Sequence, residues 1–586
     1  MRPAWRFWSF AIVWLATACA TAIADGEVTR PNILVVVADD LGYSDIQPFG
    51  GEIRTPTLTR LADKGLRLGN FHTHTMCTPT RAMLLTGVNN HAVGIGTMAG
   101  EARGAQTGAP GYEAYLRPGV PTIAELLQDA GYQTWVSGKW DLGGRKDPAL
   151  LPDQRGFAKS FVLVEGSADF FREYQALAEI DSINYRLNGR SVSPPEPFYI
   201  TNVYTDYALS FLEELDDDRP FFGYLTYTAP HYPLQAPAEF IDAYEGVFDA
   251  GYEAIRLART ERMRELGIID VDEPAVPSAL WPRWEELSGR QKAFESRRME
   301  VYAAMVEAMD AQFARIVEAL DATGRLDNTL ILFLSDNGPE GGNPLDWADY
   351  YTDWAVENYD LSLANLGHSY SFAWTGPRWA EVSATPFRLY KGFASEGGTR
   401  VPAIIHWPDG ARRSGVSSTY LHVLDVPATL LSLADAKHPG SERRGFLNRR
   451  LEGRDLSAFL ADPKAEPGPT AHVWEMLDRR AVRSGPWKLT YANRPWGKGD
   501  EWSLFNVEHD PVEQNDLLRE HPEVVARLLT IWEEYVRNNN LVLLKDGVDI
   551  RWTNRFTHFD WSPVPPAVPL ERLRNRDELQ GMMVQQ

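Results

Sequence analysis

Cysteine is nearly absent from this chain. Two occur among 586 residues, Cys19 and Cys77. Cys19 falls in a segment that reads as a secretory leader, so the mature chain keeps one thiol and no internal disulfide can form. A lone thiol in an exported protein is either inert and buried or a chemical centre. Positive charge is also short: 58 Lys and Arg face 80 Asp and Glu, a net charge of −22. Removing Arg2 and Arg6 with the leader leaves 56 against 80, or −24. That balance argues against nucleic acid and anionic membranes as partners, and an anionic substrate would need a local cationic pocket. No apolar run is long enough to be a convincing membrane span; residues 7–16 are too few.

What is present at the N-terminus fits export. Arg2 and Arg6 precede the apolar run, and Ala22-Ile23-Ala24 suits cleavage before Asp25. Residues 1–24 are therefore expected to be a signal peptide, and the protein periplasmic or secreted. The length exceeds that of one ordinary domain. A large catalytic unit over 25–430 and a smaller α+β unit over 431–540 are expected. A tail over 541–586, rich in Pro and aromatics (WSPVPPAVP at 561–569), follows.

Four segments read as strands buried on both faces: 32–38 (NILVVVA), 134–137 (TWVS), 221–228 (FFGYLTYT) and 329–334 (TLILFL). Such runs suit a parallel sheet covered by helices. Helical periodicity appears at 122–130 and at 297–320, where Met299, Tyr302, Val306, Met309, Phe313, Val317 and Leu320 share a face. The alternation predicts an α/β sandwich. Past residue 431, short stretches at 481–483, 487–490 and 503–507 predict a small antiparallel sheet, with a helix at 522–538.

Polar residues follow each buried strand: Asp39-Asp40, Gly138-Lys139, Ala229-Pro230-His231 and Asp336-Asn337-Gly338. Ligands of open α/β sheets bind at the carboxyl ends of the strands, so the four sets can converge. Asp39, Asp40, Asp336 and Asn337 offer oxygen ligands alone, which suits Ca²⁺ or Mg²⁺ over zinc. Read singly, each is also an ordinary cap or turn. In Cys77-Thr78-Pro79-Thr80-Arg81, Pro79 is placed to start a helix that Gly87 ends. Cys77 would then lie at a helix N-terminus, which favours anions, and Arg81 could grip anionic oxygens in a fork. The plainer alternative is a structural cysteine ahead of a capped helix.

Cys-x-Pro-x-Arg resembles the modification motif of the formylglycine-dependent sulfatases, in which the cysteine is oxidised to an aldehyde. The resemblance includes ADDLGYSD (38–45), CTPTRAMLLTG (77–87), GKW (138–140), APHYPLQAP (229–237), SDNG (335–338), RLYKGFASEGGTRVP (388–402) and GPWKL (485–489). The set is most similar to bacterial arylsulfatases, and it implies an alkaline-phosphatase-like sandwich: a large, mostly parallel sheet flanked by helices, with a smaller C-terminal antiparallel sheet domain. It also implies that Asp39, Asp40, Asp336 and Asn337 hold the metal, usually Ca²⁺, and that formylglycine at position 77 faces it. Arg81, Lys139 and Lys391 would surround the sulfate, and His231 would stand near the leaving-group oxygen. The substrate would be a small-molecule sulfate ester. Maturation would need a formylglycine-generating enzyme.

The chemistry agrees with that assignment. An aldehyde hydrate carries two hydroxyls on one carbon; one attacks sulfur and forms a covalent sulfate, and loss of a proton from the other expels it. A serine would need water for release. Metal and cations stabilise the oxygen charge. Histidine titrates near ~6.5, which suits a general acid.

One position departs from the family. The usual Gly-Lys-Trp-His-Leu-Gly is here Gly138-Lys139-Trp140-Asp141-Leu142-Gly143. The missing histidine is the one usually assigned to deprotonate the hydrate. A free aspartate titrates near ~3.9 and is a weaker base. Asp141 therefore replaces that base, or marks a moved substrate preference, or marks a protein that binds sulfated ligands without turnover. A phosphonate or phosphate ester hydrolase on the same fold is the nearest enzymatic alternative. His72, His74 and His91 are read as pocket edge or packing. Trp140, Trp374 and Trp379 are candidates to line an aromatic pocket or to fill the core.

Overall fold

Four strands make the centre of the molecule: Asn32–Ala38, Gln133–Lys139, Phe221–Thr226 and Thr329–Ser335. The computed structural model describes residues 30–544, apart from 179, 181, 347–348, 440–448 and 500. The expected leader and the tail from residue 545 lie outside the described residues.

The central strands are parallel and adjacent in the spatial order Thr329–Ser335, Asn32–Ala38, Phe221–Thr226, Gln133–Lys139. Their register brings the carboxyl ends level. Ala38 pairs with Ser335, Val37 with Thr226, and Thr226 with Gly138. Beyond the last strand the sheet continues through Lys159–Leu163, which is parallel. On the other side, Ala403–His406 runs antiparallel. Among the described residues ten strands share this sheet.

Both faces are dry. Leu34, Val36 and Ala38 point into one core with the long helix Gly289–Ala322. Ile33, Val35 and Val37 point into a second core with the helices Cys77–Thr86, Ile123–Asp129 and Asp425–Leu433. That double burial is why the strands are continuous apolar runs rather than alternating ones. The long helix starts two turns before its periodic pattern, because Ser288 and Gln291 form a capping box.

The antiparallel sheet after residue 431 has four strands: Ala471–Met476, Arg479–Ser484, Trp487–Tyr491 and Ser503–Asn506. The first was not expected from sequence, since His472 and Glu475 break its apolar texture although both are buried. The helix Pro522–Asn539 packs on this sheet through Leu528 and Trp532. Among the described residues no helix is long and apolar enough to cross a membrane.

Candidate active site

The strand ends carry the site. Asp39 and Asp336 follow neighbouring strands, and Asp336 N donates to Ala38 O at 3.1 Å. Lys139 ends its own strand, where a side chain at Gly138 would collide with Thr226: its φ is +123° and a Cβ would lie 1.8 Å from the Thr226 carbonyl oxygen. His231 arrives on the loop after the third strand. Lys391 comes from a distant loop held by Gly392 N donating to Thr75 O at 2.8 Å.

Cys77 opens the helix Cys77–Thr86, which ends at Gly87 in the left-handed region, as the sequence predicts. Every residue of this helix is buried. The ligand atoms of Asp39, Cys77 and Asp336 all lie within 4.8 Å of one another, as do those of Asp39, Asp40 and His231.

Each carboxylate has a cation. Arg81 reaches Asp336 Oδ2 through Nη2 at 2.7 Å and Nε at 2.9 Å. Lys139 Nζ donates to Asp39 Oδ2 at 2.9 Å. Lys391 Nζ donates to Asp40 Oδ2 at 2.9 Å and also meets Glu340 Oε2 at 3.1 Å. Burial works most strongly against the Lys139 charge, yet Asp39, Cys77 and Asp141 together outweigh it and the lysine pKa rises. Lys391 is raised in the same way by Asp40 and Glu340 against its burial. Asp336 is raised by burial and then by Asp39, against the pull of Arg81. All three cations stay charged.

His231 is oriented by its own neighbour. Its Nδ1 lies 2.7 Å from the Tyr232 carbonyl oxygen, which fixes Nδ1 as the donor there. Nε2 then points inward, 3.5 Å from Asp40 Oδ2.

Asp141 reaches the thiol. Its Oδ2 accepts from Thr78 Oγ1 at 2.6 Å and lies 3.5 Å from Cys77 Sγ and 3.8 Å from Lys139 Nζ. Burial, reinforced by Asp141 and Asp39, pushes the Cys77 thiol up to about 12 against the pull of Lys139 and Lys391. A thiol held that high is a poor nucleophile near neutrality.

All the residues singled out from sequence for metal and anion binding thus come together. A hard cation suits the donor set. Asn337 Nδ2 donates to Asp40 Oδ1 at 2.6 Å, while its amide oxygen is buried with no hydrogen-bond partner. An orphaned amide oxygen among carboxylates fits a hard cation.

The tryptophan and histidine candidates resolve as core and packing, one of the two readings the sequence allows. Trp140 and Trp379 fill core: Trp140 Nε1 donates to Leu150 O at 3.0 Å and Trp379 Nε1 to Glu295 O at 2.9 Å. Trp374 joins an aromatic cluster with Tyr232 and Phe372. His72 and His91 are packing residues, His72 beside Asn70 and Arg483, His91 between Glu475 and Tyr535. Thr78, Glu340 and Tyr232 were not foreseen. Thr78 occupies a free position of the cysteine motif, and Glu340 lies four residues past Asp336; neither placement announces a contact.

Comparison with known proteins places this geometry. The chain matches the Sulfatase family over residues 31–436. An uncharacterised sulfatase of Schizosaccharomyces pombe is 38% identical over 544 residues, 89% of this chain and 96% of that protein. An arylsulfatase of Klebsiella aerogenes is 37% identical over 427 residues, 72% of this chain and 91% of that protein. Among solved structures, Ps i-CgsB in complex with k-i-k-neocarrahexaose aligns with TM-score 0.61 at 25% identity, covering 90% of this chain and 97% of that one. The phosphonate monoester hydrolase of Agrobacterium radiobacter shares the fold, with TM-score 0.53 at 17% identity over 88% of this chain and 99% of that one.

Proposed function

This chain belongs to the sulfatase family and is a sulfuric ester hydrolase, and we propose that its chemistry depends on an aldehyde made from Cys77. One observation carries this reading: the buried Cys77 Sγ lies 3.5 Å from Asp141 and shares a 4.8 Å cluster with Asp39 and Asp336. An inert structural cysteine has no need of three carboxylates around it. The hydrated aldehyde supplies one hydroxyl to attack sulfur and a second whose deprotonation releases sulfate. Asp39, Asp40, Asp336, Asn337 and the oxidised residue 77 would hold Ca²⁺ or Mg²⁺, which supplies Lewis-acid polarisation of the sulfate oxygens.

The remaining roles belong to the chain's own side chains. Arg81, Lys139 and Lys391 are fixed donors for charge on the transferring oxygens, and they need no rearrangement at the moment of reaction. His231 delivers a proton to the leaving-group oxygen from Nε2, because Nδ1 is committed to the Tyr232 carbonyl. Asp141 accepts the proton from the second hydroxyl, and Thr78 aims it. The substrate is an aryl sulfate, a choice supported by the arylsulfatase relative. The enzyme acts after export, on a body of residues 25–430 with the smaller unit at 431–540. A formylglycine-generating enzyme prepares it.

Intact-peptide mass spectrometry across residue 77 tests the reading. Active enzyme is expected to show the aldehyde and its hydrate in place of the thiol, and to prefer an aryl sulfate over an aryl phosphonate in parallel assays. Full turnover by protein that retains the thiol would overturn it.

A further inference from the structure

We propose that Asp141 makes this site discriminate by head-group charge, taking monoanions such as a sulfate ester and turning away dianions such as inorganic phosphate. The inference rests on the sulfate-ester reading above and assigns it a charge class. Five carboxylates belong to the charge cluster around the reacting position: Asp39, Asp40, Asp336, Asp141 and, through Lys391, Glu340. Three permanent cations face it: Arg81, Lys139 and Lys391. A divalent ion brings the sum to zero, and His231 adds charge only when protonated. The first three carboxylates are matched one to one by cations at 2.7–2.9 Å. Glu340 shares Lys391 with Asp40. Asp141 is the least compensated.

Its surroundings explain why. Among the described residues, the cation within 4 Å of Asp141 is Lys139 at 3.8 Å, already closer to Asp39 at 2.9 Å. Thr78 supplies a neutral hydroxyl. On the other flank is Gly166, which offers no side chain as a partner and where even a Cβ would press on Asp141 Oδ1 at 3.1 Å. Arg145 is turned to Glu165 at 3.8 Å. Asp141 itself sits at φ +57°, a left-handed conformation that Asp tolerates better than most residues.

The position of the charge sets the size of the effect. Asp141 Oδ2 is 3.5 Å from the atom at the nucleophile position. A head group bonded or docked there lies about 5 Å from the carboxylate. At that distance and an effective dielectric of ~20, each added negative charge weakens binding by on the order of a hundredfold before salt screening. A sulfate monoester carries one charge, whereas a phosphate group carries roughly −1.5 to −2 near neutrality. The same carboxylate can therefore serve as base and as filter.

Calorimetry in Ca²⁺ buffer at mildly alkaline pH tests this without turnover. The probes are inorganic phosphate, a dianion there, and dimethyl phosphate, a monoanion. The comparison is wild type against Asp141→Asn, which keeps the shape, the left-handed backbone and an acceptor for Thr78. Asp141→His serves if the Asn variant does not fold. The expected result is a gain of up to about a hundredfold for the diester, less what salt screens, and a far larger gain for phosphate, near the square of that factor. Equal gains, no gain for phosphate, or no phosphate binding by either protein would overturn the inference. Aryl sulfate turnover by the wild type reports the functional reading separately, so an active enzyme that fails the ratio test loses this inference alone.

Discussion

Replacing Lys139 with Met removes one cation from a balanced set. Lys139 Nζ lies 2.9 and 3.2 Å from the two Asp39 oxygens, and both side chains are fully buried. Among the cations of the described residues, Asp39 would keep only Arg81 at 3.8 Å, a guanidinium already committed to Asp336. Leaving one partner of a buried pair uncompensated costs about 3–5 kcal/mol. For a chain this long each kcal/mol moves Tm by ~2 °C or less, so the metal-free variant should melt about 5 °C below wild type. Ca²⁺ should reverse most of that. A cation ~5 Å from a divalent ion repels it by on the order of 5 kcal/mol at an effective dielectric of ~20, and the substitution deletes that repulsion. The variant should bind Ca²⁺ more tightly and gain more Tm from it, because ligand stabilisation grows with the ratio of concentration to Kd. Turnover should still fall by about 10²–10³, as when one preorganised donor is lost. Scanning fluorimetry in EDTA and in millimolar Ca²⁺, beside an aryl sulfate assay, reads all three. A variant that melts with wild type in EDTA, or whose deficit widens in Ca²⁺, would refute the charge-balance argument.

Two other outcomes are expected. Thr78→Val should lower kcat about tenfold with little change in KM and give a burst before a slower steady state, since a charge-assisted hydrogen bond of ~1.5–3 kcal/mol aims Asp141 for the release step; a KM effect at constant kcat in stopped-flow traces would place Thr78 in substrate binding instead. Acid should weaken the fold below pH 6.5: burial lowers the folded pKa of His74 to about 3 and of His472 to about 4, so the unfolded chain binds more protons. Their stabilising contribution is complete above the unfolded value near ~6.5 and fades as pH falls toward the folded values, by up to ~1.4 kcal/mol per pH unit for each group. Urea midpoints should therefore drop from pH 7 to pH 5, and His472→Gln should flatten the slope; equal midpoints across that range would contradict it.

The parts of this protein legible in the sequence are those decided by neighbours along the chain. The central strands announce themselves because a strand buried on both faces must be apolar at every position, as Leu34 through Val37 are. The helix at Cys77 follows from Pro79 and Gly87. Asp39, Lys139, His231 and Asp336 are readable as a group because each lies at or shortly past the carboxyl end of such a strand, and parallel register then makes them converge. What escapes is whatever depends on a partner far along the chain. The strand Ala471–Met476 is hidden because His472 and Glu475 lean in the interior on distant partners, Tyr420 and His91, 52 and 384 positions away. Glu340 is silent until Lys391 arrives beside it, and Thr78 until Asp141 does, 63 positions on. The substitution at 141 is visible in sequence as a departure, but its meaning is not. Three-dimensional placement supports the proposed reading: beside the nucleophile position, poorly matched by cations and flanked by Gly166, a carboxylate would act on the proton of a bound hydroxyl and on the charge of the bound anion together. Those two effects pull against each other, since an active centre that gains a base at this point also loses attraction for its anionic substrate. Among the described residues, the one-to-one pairing of Arg81, Lys139 and Lys391 with the remaining aspartates leaves no spare cation beside Asp141, so on the proposed reading the cost would fall most heavily on anions carrying two charges.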